Sequence, residues 1–252
     1  MTTILVPYHL DEYLPDLNVA LPPGFTTVTS SLPEGDVWTR LAQLYDSLAD
    51  AVATADAPVT VVSGDCTTSL GTLAGLQRAG VDACLVWLDA HGDLQSLETT
   101  VSGYVGGMPL RILVGYRPEL IARPLGLRAV AQDRVVLVDA RDLDPPEAEY
   151  LATTRIRRCA VDELANDVLP AGPIMLHVDL DVVDAHELPG LRYPVPGGPT
   201  VASVVDGVRR VLATGRVAAV DIACTVHPGH ADTDGLRARL VSSLIAPGGS
   251  SR

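Results

Sequence analysis

In DAHGD, residues 89–93, Asp89, His91 and Asp93 stand at alternate positions directly behind the apolar run ACLVWL. HVDLD, residues 177–181, repeats the arrangement with His177, Asp179 and Asp181 behind the apolar IML. Residues two apart share one face of an extended chain, so each motif can aim three side chains at one point. Four aspartates gathered at one buried sheet edge repel one another unless cations neutralise them. Carboxylates mixed with imidazole favour Mn²⁺ or a similar hard-to-borderline divalent ion over a thiolate-dominated zinc site. Two such ions bridged by shared carboxylates lower the pKa of a bound water, which is hydrolytic chemistry. One DxD at a strand end reads as readily as a turn or a helix cap, but two, each closing an apolar run, point to a site. His177 by itself reads as a satisfied interior histidine, or as a partner to a ligand, before it reads as a ligand. His9, His186, His227 and His230 lie in loop-like surroundings and read as solvated. Cys66, in VVSGDCTTSL (61–70), poses a separate question at the end of another apolar run: packing, nucleophile or metal ligand.

Strands must carry these motifs. Short β-branched apolar runs recur at 2–6, 59–63, 83–90, 134–140, 174–181 and 217–224, a pattern suited to strands buried on both faces of a parallel sheet. Between them the spacing predicts helices over 36–53, 68–79, 160–168, 200–214 and 233–245, with Thr200 capping the fourth. Alternating β and α implies a doubly wound α/β domain over residues 1–246, with a flexible tail at 247–252. LPPGF (21–25), PGLRYPVPGGP (189–199) and HPGHADTDG (227–235) read as loops. In such sheets ligands bind beyond the carboxyl ends of strands, so the motifs should converge there.

Composition narrows the chemistry. The 252 residues carry a net charge of −13, and all 18 basic residues are arginine. An acidic chain argues against a nucleic-acid partner, whose affinity depends on clustered Lys and Arg, and the lack of lysine excludes a Schiff base or a lysine-bearing phosphate loop. No apolar run reaches the length of a membrane helix, and MTTILVPYHLDEY meets acidic residues too soon for a signal peptide. The expectation is a cytoplasmic protein acting on a small molecule, its four separated cysteines held as free thiols.

In order and spacing, SGDCTTSLGTLAG, LVWLDAHGDLQ, SGYVGGMPL, RDLDPPE, LHVDLDVVD and PVPGGPT resemble the ureohydrolases, the superfamily of arginase, agmatinase and formimidoylglutamase. The resemblance spans roughly residues 58–246. It implies a three-layer α/β/α fold around a mostly parallel sheet and, in active members, a Mn²⁺ pair whose bridging hydroxide attacks a guanidino or amidino carbon. It implies one or two Mn²⁺ per subunit and a trimeric or hexameric assembly, for which the sequence itself shows no signal. Position by position, Asp89 and Asp179 correspond to the bridging carboxylates and, with His91, to the catalytic centre. Asp93 corresponds to a ligand of the first metal, and His91 and Asp181 to ligands of the second. Cys66 falls where most of the family has the histidine completing the first shell. Asp144, with Gln95 and Ser102, is similar to the contact with the substrate's amino-acid end. From its own surroundings, Asp144 reads equally as a turn or an N-cap before Pro145.

Three departures stand out. Cys66 is a softer ligand that must lose a proton to bind well. Gly106 stands where arginases carry a proton-shuttling histidine. In DIACTVHP, Cys224 or Thr225 replaces a glutamate that would pair with a guanidinium or amidinium group, a charge-assisted contact. Cys66 with the GYxGGM loop is partly similar to the hydroxyarginine-hydrolysing branch. Three readings follow: a Mn²⁺-dependent hydrolase of a linear amidine or guanidine-type C–N bond, a non-catalytic relative with an incomplete metal centre, and a metal-free cysteine hydrolase using Cys66 with His91 or His177 as base.

Overall fold

The computed structural model describes residues 2–245 except 16, 18, 20, 228, 229, 231, 233 and 234. The tail expected to be flexible, and part of the 227–235 loop, lie outside the described residues. In chain order the elements are β1 (Thr2–Val6), β2 (Tyr8–His9), β3 (Glu12–Tyr13), β4 (Thr26–Thr27), α1 (Val37–Thr54), β5 (Val59–Ser63), α2 (Ser69–Arg78), β6 (Cys84–Asp89), α3 (Pro109–Leu113) and α4 (Ala122–Leu125). They continue through β7 (Val135–Asp139), α5 (Pro145–Ala152), β8 (Arg157–Cys159), β9 (Ile174–Asp179), α6 (Val201–Leu212), β10 (Val217–Ala223) and α7 (Leu236–Ile245).

Eight strands form one sheet in the order β4-β1-β5-β10-β9-β6-β7-β8, and every pairing within it is parallel. Strand alternation divides the core. Val59, Val61, Leu85, Leu137 and Met175 face the layer of α1 and α2. Val62, Val86, Leu88, Val138, Leu176 and Val178 face α6 and α7. The helices answer with apolar stripes: Leu41, Leu44, Tyr45, Leu48 and Val52 on α1, and Val204, Val205, Val208 and Val211 on α6. Asp36 caps α1 by accepting from Thr39 N, and Thr200 caps α6 by accepting from Ser203 N, each leaving one fewer amide unsatisfied in the first turn. The result is the expected three-layer α/β/α architecture.

The short elements β2, β3, β4, β8, α3 and α4 have no counterpart in the sequence reading, and two longer segments also depart from it. Residues 160–168 form turns rather than a helix. The Arg210 guanidinium donates to the carbonyls of Val161 and Leu164, and Glu163 takes the Ala160 amide, so polar groups that a helix would pair internally are committed elsewhere. Conversely, PPEAEYLA folds as α5, its prolines occupying the first turn, where no amide partner is missed. Glu147 reaches back to accept from Asp144 N at 3.1 Å.

The chain leaves β5, passes through α2 and re-enters as β6 on the far side of β10 and β9. This reversal opens a crevice at the carboxyl ends of β5, β6, β9 and β10, the place where open α/β sheets bind ligands.

Candidate metal centre and its cavity

A cavity of about 290 Å³ opens above those strand ends. All nine residues singled out in the sequence line it: Cys66, Asp89, His91, Asp93, Gln95, Ser102, Asp144, Asp179 and Asp181.

The way DAHGD and HVDLD converge differs from the sequence expectation. Neither motif is extended throughout. Asp89 ends β6 and the chain then bends, with Asp89 Oδ1 accepting from His91 N at 2.7 Å. Asp179 ends β9 and opens a single 3₁₀ turn, Leu180–Val182, with its Oδ1 accepting from Asp181 N at 2.9 Å. Each motif is therefore a turn in which the first aspartate bonds the amide two residues on, and each also delivers a second acidic group to the cavity. Asp93 arrives through a left-handed backbone, φ 52°, a conformation aspartate tolerates better than most residues. Cys66 is held likewise: Asp65 accepts from Thr67 N at 2.8 Å and from Leu10 N at 2.6 Å, fixing the turn that begins at Cys66. Arg141 ties the second motif to the rim, donating to the carbonyls of Asp181 and Val182 and to that of Val195.

Within the centre, Cys66 Sγ lies 2.8 Å from Asp179 Oδ2 and 3.9 Å from Asp89 Oδ2. His91 Nδ1 sits 3.1 Å from Asp181 Oδ2 and 3.4 Å from Asp89 Oδ1. Burial and neighbouring carboxylates push Asp93 and Asp181 well above the usual carboxylate range and Asp179 up to about 6. Burial also opposes charge on Asp89 and His91, but their mutual attraction prevails: Asp89 is lowered, and His91, bonded to Asp181 and Asp89, is pushed up to about 12. Burial, then Asp179, Asp93 and Asp89, drive the Cys66 thiol well up. Among the described residues, no lysine or arginine lines the cavity to offset this charge, and Asp93 Oδ2 is buried with no hydrogen-bond partner. Two sets of donor atoms lie within 4.8 Å of one another: Asp89, His91 and Asp181, and Cys66, Asp89 and His177. The donor set fits divalent cations, which would supply the missing positive charge.

The rim carries residues that the sequence reading did not single out. Tyr104 and Tyr193 line the cavity with ring centroids 5.3 Å apart. Tyr104 Oη lies 3.3 Å from His9 Nε2, and His9, expected to be solvated, is buried with Nδ1 3.0 Å from Gly64 O. The hairpin β2–β3 turns it inward, and no local signal distinguishes that from a solvated loop. His186, His227 and His230 are exposed. A Cβ on Gly106 would fall 2.2 Å from the Tyr104 ring, so Tyr104 fills the space beside that position. Of the two candidates for the missing glutamate, Thr225 reaches the cavity and donates to Asp179 Oδ2 at 3.2 Å, while Cys224 is buried in the apolar core. Gln95 Nε2 donates to Asp144 Oδ2 at 2.6 Å, so Asp144, at the N-cap of α5, also belongs to the cavity wall. Glu147, buried beside it, accepts from Leu94 N at 2.8 Å.

Comparison with known proteins bears on the family and the fold. A family model described as "Arginase family" matches residues 16–247. An arginase of Eremothecium gossypii is 30% identical over 71% of this chain and 49% of its own length. The N(omega)-hydroxy-L-arginine amidinohydrolase of Streptomyces lavendulae is 29% identical over 74% of this chain and 67% of its own. The chain thus spans about half to two thirds of the curated relatives it matches. The solved arginase of Bacillus caldovelox superposes with a TM-score of 0.80, covering 100% of this chain and 99% of that one at 21% identity, a likeness of fold.

Proposed function

The chain belongs to the arginase family, and on that premise we propose that it is a Mn²⁺-dependent hydrolase of a linear guanidine- or amidine-type C–N bond. The observation that carries this reading is the meeting of Cys66, Asp89, His91, Asp93, Asp179 and Asp181 on one cavity floor with no lysine or arginine among the described residues of the wall. Asp89, Asp179, Cys66, Asp93, His91 and Asp181 would hold the ions, Cys66 and Asp93 toward one and His91 and Asp181 toward the other. Such ions would supply an activated water near neutral pH.

The rest falls to the chain's own groups. Asp144 and Glu147, apart from the groups that would hold the ions, leave acidic groups in the wall, which favours a cationic substrate. Asp144, held by Gln95, is placed to receive a substrate ammonium group, and Ser102 lies on the same wall. Thr225 offers a neutral hydroxyl where a carboxylate would pair with a guanidinium, which suits a less basic group such as a hydroxyguanidine. Tyr104 and Tyr193 add aromatic surface to the wall. Without a cation beside it, burial and three carboxylates push the Cys66 thiol up, the opposite of what a cysteine nucleophile needs.

The test is to load purified protein with Mn²⁺ and offer arginine, N-hydroxyarginine, agmatine, guanidino acids and formimidoylglutamate. Release of urea, hydroxyurea or formamide, lost in Asp181→Ala, is expected. No product from any of them overturns the catalytic reading in favour of a non-catalytic relative.

A further inference from the structure

Behind the cavity floor, on the sheet face packed against α2, a polar chain crosses the core. Thr72 Oγ1 donates to Asp221 Oδ2 at 2.5 Å, and Asp221 Oδ1 lies 2.9 Å from His177 Nδ1. Strand register places His177 between Asp221 on β10 and Trp87 on β6, and its ring stacks on Trp87 with centroids 3.7 Å apart. The imidazole is thus fixed from two sides, by Asp221 and by Trp87. Its other nitrogen, Nε2, is buried and has no hydrogen-bond partner, in a side chain with no solvent exposure. An orphaned buried ring nitrogen costs free energy unless something binds it. A His177 ring nitrogen, Cys66 Sγ and an Asp89 oxygen lie within 4.8 Å of one another.

We infer that His177 is a metal ligand through Nε2, completing an inner divalent-cation site with Cys66 and Asp89. The inference rests on the metal-dependent reading above and deepens it. Metal-binding histidines characteristically donate their second ring N–H to a carboxylate, which fixes the tautomer and aims the free lone pair. Asp221 occupies that position, and Thr72 satisfies its other oxygen. A neutral imidazole adds a donor without adding charge where carboxylates already crowd. The competing role for His177 is a protonated counter-charge to Asp89, which predicts the opposite response to its removal.

The experiment uses the full chain loaded with Mn²⁺. Equilibrium dialysis measures affinity, and pulsed electron paramagnetic resonance detects ¹⁴N coupling from bound imidazole. Two classes of nitrogen coupling are expected in the unmodified protein, from His91 and His177. One class should persist in His91→Asn and vanish on adding His177→Gln. His177→Gln alone should weaken Mn²⁺ binding, and Asp221→Asn should weaken it about 10- to 100-fold, the usual effect of losing a ligand's carboxylate partner. Mn²⁺ bound with a single nitrogen class in the unmodified protein, or unchanged or tighter binding by His177→Gln, overturns the inference while leaving the metal-dependent reading intact. No Mn²⁺ binding by the unmodified chain overturns both. Should His177→Gln fail to fold, the count of nitrogen classes in the unmodified protein decides.

Discussion

The two donor sets that share Asp89 differ in almost every physical respect. The outer set, with His91 and Asp181, opens to the cavity: the His91 side chain is 29% exposed and already bonded to both carboxylates. The inner set, with Cys66 and His177, is buried, backed by Trp87, and holds a thiol and an imidazole whose free nitrogen meets no partner. Hard oxygen donors and solvent access at one side, soft or neutral donors and burial at the other, should give two positions of unequal affinity, exchange rate and metal preference. The contrast arises from depth: a side chain at the strand end reaches the crevice, whereas one two residues earlier on the same face reaches the core.

Asp89→Asn strikes both sets and should have the largest effect. Mn²⁺ binding should fall to background, and with it the thermal stabilisation that excess metal confers, about 2.7 kcal/mol at a hundred times Kd, read as the loss of a metal-dependent shift in Tm. Next, Trp87→Ala should damage the inner set and the fold together. It removes a fully buried indole that donates to Asp89 Oδ2 at 3.2 Å, at a cost of about 3–5 kcal/mol in denaturant melts. His91→Ala should weaken the outer ion while leaving the inner one in place. Equal losses from the two would erase the distinction. Cys66→Ser should lower the ratio of Cd²⁺ to Mn²⁺ affinity, since the thiol is the only soft donor among the cavity-lining residues, whereas His91→Ala should leave thiolate-dependent Cd²⁺ absorption in place.

Effects at the rim should be smaller and should spare the metal. Gly106→Ala places a methyl against Tyr104, so the ring must move, and KM should change more than Mn²⁺ affinity. Smallest is a pH effect at Asp184. Amide donation, led by His186 and joined by Gly197 and Gly198, holds its carboxyl down at about 2. A folded pKa below the ordinary value contributes stability that is present above the ordinary carboxylate range and lost as pH falls through about 2. Amide exchange in the 184–198 loop should quicken over that fall, and Asp184→Asn should remove the dependence.

Much of this was legible in the chain. The apolar runs before DAHGD and HVDLD identify strands, and a strand end is where an α/β sheet presents ligands. The 160–168 segment misled because Arg210, far along the chain, takes the carbonyls of Val161 and Leu164. His9 misled for a similar reason: a hairpin and Gly64 bury it, and neither effect is periodic. His177 reads from sequence as an interior histidine, and it is one. Its orphaned nitrogen emerges only when β6, β9 and β10 lie side by side.

By itself, then, the sequence determined the alternation of strands and helices, the acidic and lysine-free character of the chain, and the identity of the groups that end the central strands. These depend on residue type and on periods of two or 3.6, which are local properties. Tertiary structure alone decided how those groups meet. It showed that each DxD bends into a turn instead of lying flat, that Thr225 and not Cys224 faces the cavity, and that Tyr104 fills the space beside Gly106. It also set Asp221 and Trp87 on either side of His177. Each of these is a contact between residues distant in the chain, fixed by strand order and register, which no local pattern encodes.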